Sequence, residues 1–150
     1  MPKEKILVVD DEPAILNLAR VKLEKEGYGV ITASSGHEAL IKVDEKPDLI
    51  ILDIMMPVMD GWEVYKKLRE NPETKEIPVI VLTAVGQFEK QLEGLKAEVS
   101  DYITKPFSPA GLAVQVKKIL DAASQEKLER EKKRKEVKLK TLMDIIHKKE

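Results

Sequence analysis

The chain has 150 residues, the usual size of one domain, and 43% of them are apolar, enough to fill one core. It has no cysteine, no long apolar run and an opening "MPKEKILVVDDEP" that soon turns acidic, so disulfides, a membrane span and a signal peptide are not indicated and a cytoplasmic protein is expected. The formal charge of −1 hides an asymmetry: residues 121–150 hold 10 Lys/Arg against 7 Asp/Glu, leaving 16 against 20 for residues 1–120.

In chain order, short apolar runs alternate with segments of helical period. "KILVV" (5–9) predicts a strand, and "AILNLARVKLEKEG" (14–27) a helix whose Ile15, Leu16, Leu18, Ala19 and Leu23 share one face. "VITA" then precedes "GHEALIKVDE", "LIILD" precedes "GWEVYKKLRE", "VIVLTA" precedes "FEKQLEGLKA", and "DYIT" precedes "PAGLAVQVKKIL", giving five βα units. Helix starts are marked by Ser35 with Glu38, by Asp60 with Glu63, and by Ser108 followed by Pro109 at the first helical position. Strands joined by helical crossovers lie parallel, and strands such as "LIIL" and "VIVL", apolar on both faces, belong in a sheet covered on both sides. The fold class expected is therefore α/β with a doubly wound, five-stranded parallel sheet. Ligands of such sheets bind beyond the carboxyl ends of the strands.

The polar residues at those ends are selective. Asp10 and Asp11 follow the first strand, Asp53 ends the third, Thr83 stands in the fourth, and Lys105 lies just past the fifth. Each has a plainer explanation too, since Asp11 or Glu12 can cap the helix before Pro13 and Thr83 suits a strand. Together they are costly, because carboxylates within about 4 Å repel by roughly 4 kcal/mol per pair at an effective dielectric of about 20. They call for a cation or a proton. Oxygen donors without a nearby histidine or cysteine favour a hard ion, and a few carboxylates with room for water and phosphate oxygens suit Mg2+ better than Ca2+. A carboxylate beside Mg2+, with a lysine and a hydroxyl to hold phosphoryl oxygens, is equipped to become an aspartyl phosphate. Asp53 is the candidate.

The segments "LVVDDEP", "LIILDIMMPVMDGWE", "PVIVLTA" and "DYITKPF" resemble the receiver domain of two-component response regulators, CheY-like in type, over about residues 3–120. The resemblance implies a flavodoxin-like fold with strand order 2-1-3-4-5. It also implies a sensor histidine kinase whose phosphohistidine donates to the receiver aspartate, the receiver catalysing its own phosphorylation and dephosphorylation rather than acting as a conventional enzyme. Asp53 matches the phosphoacceptor, and Asp10 and Asp11 match the acid pair that holds Mg2+ with it. Met55 matches the position whose backbone carbonyl completes the protein ligands. Thr83 resembles the hydroxyl that moves towards the phosphoryl group, Tyr102 the aromatic that rotates inward, and Lys105 the lysine that pairs with the phosphoryl oxygens. Tyr102 reads equally well as a half-buried tyrosine of an edge strand. Pro106 resembles the family proline whose cis bond aims that lysine.

One departure precedes "DYITKPF", where the family often has glycine and alanine but this chain has Val99 and Ser100. Valine dislikes the positive φ that glycine supplies, so a differently built turn and a different partner choice are expected there. Met55 and Val85, each two residues beyond a motif residue, are expected to crowd the crevice mouth, hinder the attacking water and prolong the phosphorylated state. Phosphate loss from Met55→Asn is then faster.

Residues 1–120 are thus expected to form a receiver domain, and 121–150 a charged helical tail or linker. The tail has no Gly or Pro, and Glu126–Arg130, Glu129–Lys133, Glu131–Lys135, Glu136–Lys140 and Asp144–Lys148 are acid-before-base pairs at i, i+4. At about 0.2 to 0.5 kcal/mol each they support a helix by roughly 1 to 2.5 kcal/mol. Leu128, Lys132, Lys135, Leu139, Leu142 and Ile146 fall at alternating steps of 4 and 3, as a coiled-coil seam does, with two lysines among six positions. A solvated linker, a homodimer through this helix and a partner-docking helix all fit. Nucleic-acid binding through "KKRK" is not indicated, because acids interleave the basic run.

The function expected is a phosphorylation-activated switch that signals through contacts with a downstream protein, without membrane attachment. Two alternatives stand beside it. One is a receiver fragment of a longer regulator or hybrid kinase. The other is an aspartyl-phosphate-forming phosphatase of the haloacid dehalogenase type, although "VVDDEP" lacks the D-x-D spacing those enzymes carry after their first strand.

Overall fold

The computed structural model describes residues 4–84 and 100–148. Five strands, β1 (Lys5–Val9), β2 (Gly29–Ala33), β3 (Leu49–Asp53), β4 (Val79–Ala84) and β5 (Asp101–Lys105), pair in parallel in the order β2-β1-β3-β4-β5. Helices α1 (Pro13–Lys25), α2 (Gly36–Lys42), α3 (Gly61–Glu70) and α4 (Pro109–Lys148) are described with them, and a 3-10 turn, Val43–Glu45, extends α2. This is the expected doubly wound sheet, with a helical extension at the C-terminus. The helical period expected over residues 88–97, together with Val85 and Val99, lies outside the described residues.

β3 is the central strand, and all five of its residues are buried. Its side chains alternate between two cores, as a two-residue period requires. Leu49 and Ile51 join α1 and α4 through Leu23, Leu112 and Val116, while Ile50 and Leu52 join α2 and α3 through Ala39, Val64 and Leu68. A strand buried on both faces cannot slip by one residue without exchanging its two sets of side chains, and this fixes where Asp53 emerges.

The helix starts follow their local chemistry. The Ser35 hydroxyl accepts from the Glu38 N–H at 3.1 Å, the Asp60 carboxylate from the Glu63 N–H at 2.9 Å, and the Ser108 hydroxyl from the Gly111 N–H at 2.9 Å. Glu38 completes its box one residue early, accepting from the Ser34 N–H and hydroxyl. In α1, Ala19 and Leu23 are buried, but Leu18 is 40% exposed, contrary to the shared face expected from sequence. It stands about 100° round the helix from Ala19, off the line that meets the sheet.

α4 changes character along its length. Leu112, Val116 and Leu120 are buried against the sheet at i, i+4 and i+8, whereas from Ser124 to Lys148 every residue is exposed. Its 40 residues make a rod of about 60 Å. None of the five expected i, i+4 ion pairs of the tail is closed among the described residues; Arg130 instead reaches across to Glu76, Nη1 to Oε2 at 3.0 Å. Exposed pairs worth a few tenths of a kcal/mol do not hold long side chains in one place. No helix among the described residues is long and apolar enough to cross a membrane.

Candidate functional site

Sheet register brings the polar residues together. Val9 pairs with Leu52, Asp53 with Leu82, Thr83 with Thr104, and Ala84 with Lys105. Asp10 therefore follows β1 at the level of Asp53, and Thr83 lies one residue past its neighbour on β4. The Asp10 N–H donates to the Ala33 carbonyl at 3.1 Å and the Ile54 N–H to the Leu82 carbonyl at 3.2 Å, pinning both acids to the sheet end.

Each of the two buried acids uses one oxygen to close its own turn. Asp10 Oδ1 accepts from the Glu12 N–H at 2.9 Å, and Asp53 Oδ1 from the Met55 N–H at 3.0 Å. Their Oδ2 atoms face Lys105, whose Nζ lies 2.6 Å from Asp10, 3.4 Å from Asp53 and 3.7 Å from Glu12 Oε1. The shortest contact ties the buried Asp10 Oδ2 to the Lys105 ammonium.

Asp53 is only 3% exposed, and its pKa is pushed up to about 6. Loss of hydration is the main cause and the charge of Asp10 adds to it, while the Met55 N–H and Lys105 pull the other way. Burial lowers the pKa of Lys105, but Asp10, Asp53 and Glu12 more than offset this, and it ends above its ordinary value. The ammonium therefore stays charged. Three carboxylates, Asp10, Glu12 and Asp53, lie within 4 Å of it, and Asp11 adjoins Asp10 and Glu12, a surplus of negative charge that one lysine does not neutralise.

Glu12 is the member that sequence reasoning set aside as a cap. It occupies the N-cap of α1, yet its side chain caps nothing, and its carboxylate turns to Lys105 instead. Asp10, Asp11 and Glu12 place carboxylate oxygens within 4.8 Å of one another, a group to which Asp53 is tied through Lys105. The run of three acids before Pro13 was the available signal. An all-oxygen donor set and surplus negative charge together fit a hard divalent cation.

Thr83 is 1% exposed, and its hydroxyl donates to the Ala84 carbonyl at 3.2 Å rather than towards Asp53. Tyr102 is 46% exposed on β5. The Lys105–Pro106 bond is cis. Met55, whose N–H donates to Asp53, is 52% exposed.

The loop after Asp53 holds two further features. The Met59 N–H donates to the Pro57 carbonyl at 2.8 Å across Val58, whose φ is 70°. This is the γ-turn of positive φ, the strained form. It turns Met56 and Met59 into the core and leaves Val58 93% exposed. Gly61 then opens α3 so close to the strand end that a Cβ would fall 2.3 Å from the Asp53 carbonyl oxygen and 2.6 Å from Ile54 Cα.

Residues 6–117 match the response regulator receiver domain family. The chain belongs to that family. The receiver is 50% identical over 118 residues to the alkaline phosphatase synthesis transcriptional regulatory protein PhoP of Bacillus subtilis, covering 78% of this chain and 48% of that protein. Over 125 residues it is 45% identical to the phosphate regulon transcriptional regulatory protein PhoB of Rhizobium meliloti, covering 83% and 55%. The receiver thus spans about half the length of these curated relatives. Among solved structures it resembles the chemotaxis protein CheY4 of Vibrio cholerae (36% identity, TM-score 0.71, 77% of this chain and 98% of that one). A CheY-like receiver domain protein from Methanospirillum hungatei is similar as well (33%, TM-score 0.74, 82% and 98%). Receivers serve phosphorylation-type signalling in two-component systems, where their partners are sensor histidine kinases.

Proposed function

We propose that the receiver takes a phosphoryl group from the phosphohistidine of a sensor histidine kinase onto Asp53, with Mg2+ bound, and that the phosphorylated form signals through protein contacts. The observation that carries this reading is the convergence of Asp10 and Asp53 on one lysine at the carboxyl end of the sheet. An acceptor that follows the third strand also favours this reading over a phosphatase whose nucleophile follows the first.

Asp10, Asp11, Asp53 and the Met55 carbonyl would hold the ion, which supplies charge neutralisation for the incoming phosphoryl oxygens. An Asp53 carboxylate oxygen forms the new bond to phosphorus while the phosphorus–nitrogen bond breaks, and the imidazole keeps the electron pair. Lys105, already within reach of Asp53, pairs with phosphoryl oxygens. Thr83 exchanges its bond to the Ala84 carbonyl for one to a phosphoryl oxygen, and Tyr102 turns inward as that space opens.

Incubation with acetyl phosphate and Mg2+, followed by intact mass, tests the reading. The expected result is a gain of one phosphoryl group that vanishes in Asp53→Ala. No adduct, or an adduct that survives in Asp53→Ala, refutes it.

A second reading concerns output. The similar curated proteins are transcriptional regulators of which this chain covers about half, so the receiver also fits as the input half of a longer DNA-binding regulator. The length of the encoded reading frame decides between the two.

A further inference from the structure

The distal part of α4 carries apolar side chains that the body does not cover. Leu128, Leu139, Leu142, Met143 and Ile146 are 51 to 61% exposed. At about 100° per residue they gather within about 60° of one line along the helix. Leu112, Val116, Leu120 and Arg130, through which α4 meets the body, lie about 80 to 160° away from that line. The stripe therefore faces away from its own domain, and a partner can lie along it without meeting the sheet.

The surface left over is large. The chain exposes 9938 Å² at 17.0 kDa, whereas a compact monomer of that mass exposes about 7,700 Å². The excess reflects the projecting rod, of which residues 124–148, all exposed, offer about 37 Å of helix to a partner.

The order of residues along the stripe selects an orientation. Leu128, Lys132, Lys135, Leu139, Leu142 and Ile146 form a series symmetric about Val137, so that Leu128 mirrors Ile146, Lys132 mirrors Leu142, and Lys135 mirrors Leu139. Parallel pairing in register would stack each lysine on its own copy in two adjacent layers. Antiparallel pairing sets each lysine stem along a leucine of the other chain, its ammonium within reach of an acid one turn away, Glu136 for Lys132 and Glu131 for Lys135. Antiparallel rods also oppose their helix dipoles.

We propose that the distal half of α4 pairs with the same segment of a second copy of this chain, as an antiparallel coiled coil centred on Val137. The pairing is independent of phosphoryl chemistry. It places the two domains at opposite ends of a shared rod.

The absence of native cysteine makes the test direct. Lys132→Cys and Leu142→Cys are purified separately, mixed and treated with a short bismaleimide. The expected product is a crosslink between the two variants, with little from either alone; Leu128→Cys with Ile146→Cys provides a second pair. Sedimentation equilibrium should show the mass rising with concentration to twice 17.0 kDa, and Leu139→Glu with Leu142→Glu should return it to 17.0 kDa with the thermal transition of the domain retained. A single 17.0 kDa species at all concentrations overturns the proposal, as does efficient crosslinking of each variant with itself, the mark of a parallel pair.

Discussion

Replacing Asp53 by asparagine is expected to stabilise the fold at neutral pH in the absence of divalent ions. The carboxyl is 3% exposed, and its pKa is about 6 against 3.8 for a free side chain. Keeping it ionised inside the fold costs free energy that the unfolded chain does not bear. At about 1.4 kcal/mol per pH unit, the difference between 3.8 and about 6 corresponds to about 3 kcal/mol. Because the folded pKa lies above the unfolded one, the stabilising contribution is fully present below pH 3.8 and is lost as pH rises through about 6. Asp53→Asn removes the charge while keeping the size and an acceptor for the Met55 N–H. In EDTA at pH 7.5 the variant should melt about 5 to 10 °C above the wild type, from about 2 to 3 kcal/mol at a few degrees per kcal/mol for a chain of this size. The gap should close towards pH 4. Calorimetry across that range, repeated with Mg2+ to raise the wild type preferentially, measures both effects. Equal melting temperatures at pH 7.5, or a gap that persists at pH 4, would refute the argument that an incompletely compensated buried charge destabilises the ion-free site.

Two further substitutions probe the loop that follows. Val58→Gly should gain up to about 1 kcal/mol in urea unfolding, because relief of about 1 to 2 kcal/mol of left-handed strain exceeds the added unfolded-state entropy; Val58 is 93% exposed, so no packing is lost. An unchanged or lower midpoint would show that the turn stores no strain. Gly61→Ala should lose about 1 to 3 kcal/mol, since its Cβ at 2.3 Å from the Asp53 carbonyl oxygen forces α3 away from the strand, and its phosphorylation by acetyl phosphate should slow. Wild-type stability in that variant would mean that the close approach is not required.

The strands and the site were legible in the sequence for one reason. An apolar run ending in a single acid carries both its two-sided burial and its end point in local order, as in residues 49–53. Features set by encounters between distant residues were not. Arg69 lies 4.7 Å from the Tyr65 ring centroid and donates to the carbonyls of Lys75 and Ile77, fixing the loop that presents Glu76 to Arg130, and nothing in residues 65–77 alone announces this. Glu12 read as a cap because its position suited one, while the structure gives its carboxylate to a lysine 93 residues later in the chain. Valine was expected to avoid positive φ at position 99, which lies outside the described residues, yet at Val58 a valine takes a conformation its branching disfavours. Propensity points away from such a residue, and only the turn between two buried methionines demands it.

The continuity of α4 has a mechanical consequence. The helix begins four residues after Lys105, is gripped by the sheet as far as Leu120, and then runs another 28 residues to Lys148. That arm projects about 42 Å and is tied back by the exposed Arg130–Glu76 pair, so a tilt of about 5° in its gripped turns moves its tip by about 4 Å. A displacement too small to open a cavity beside Asp53 becomes, at Ile146, comparable to the width of a side chain.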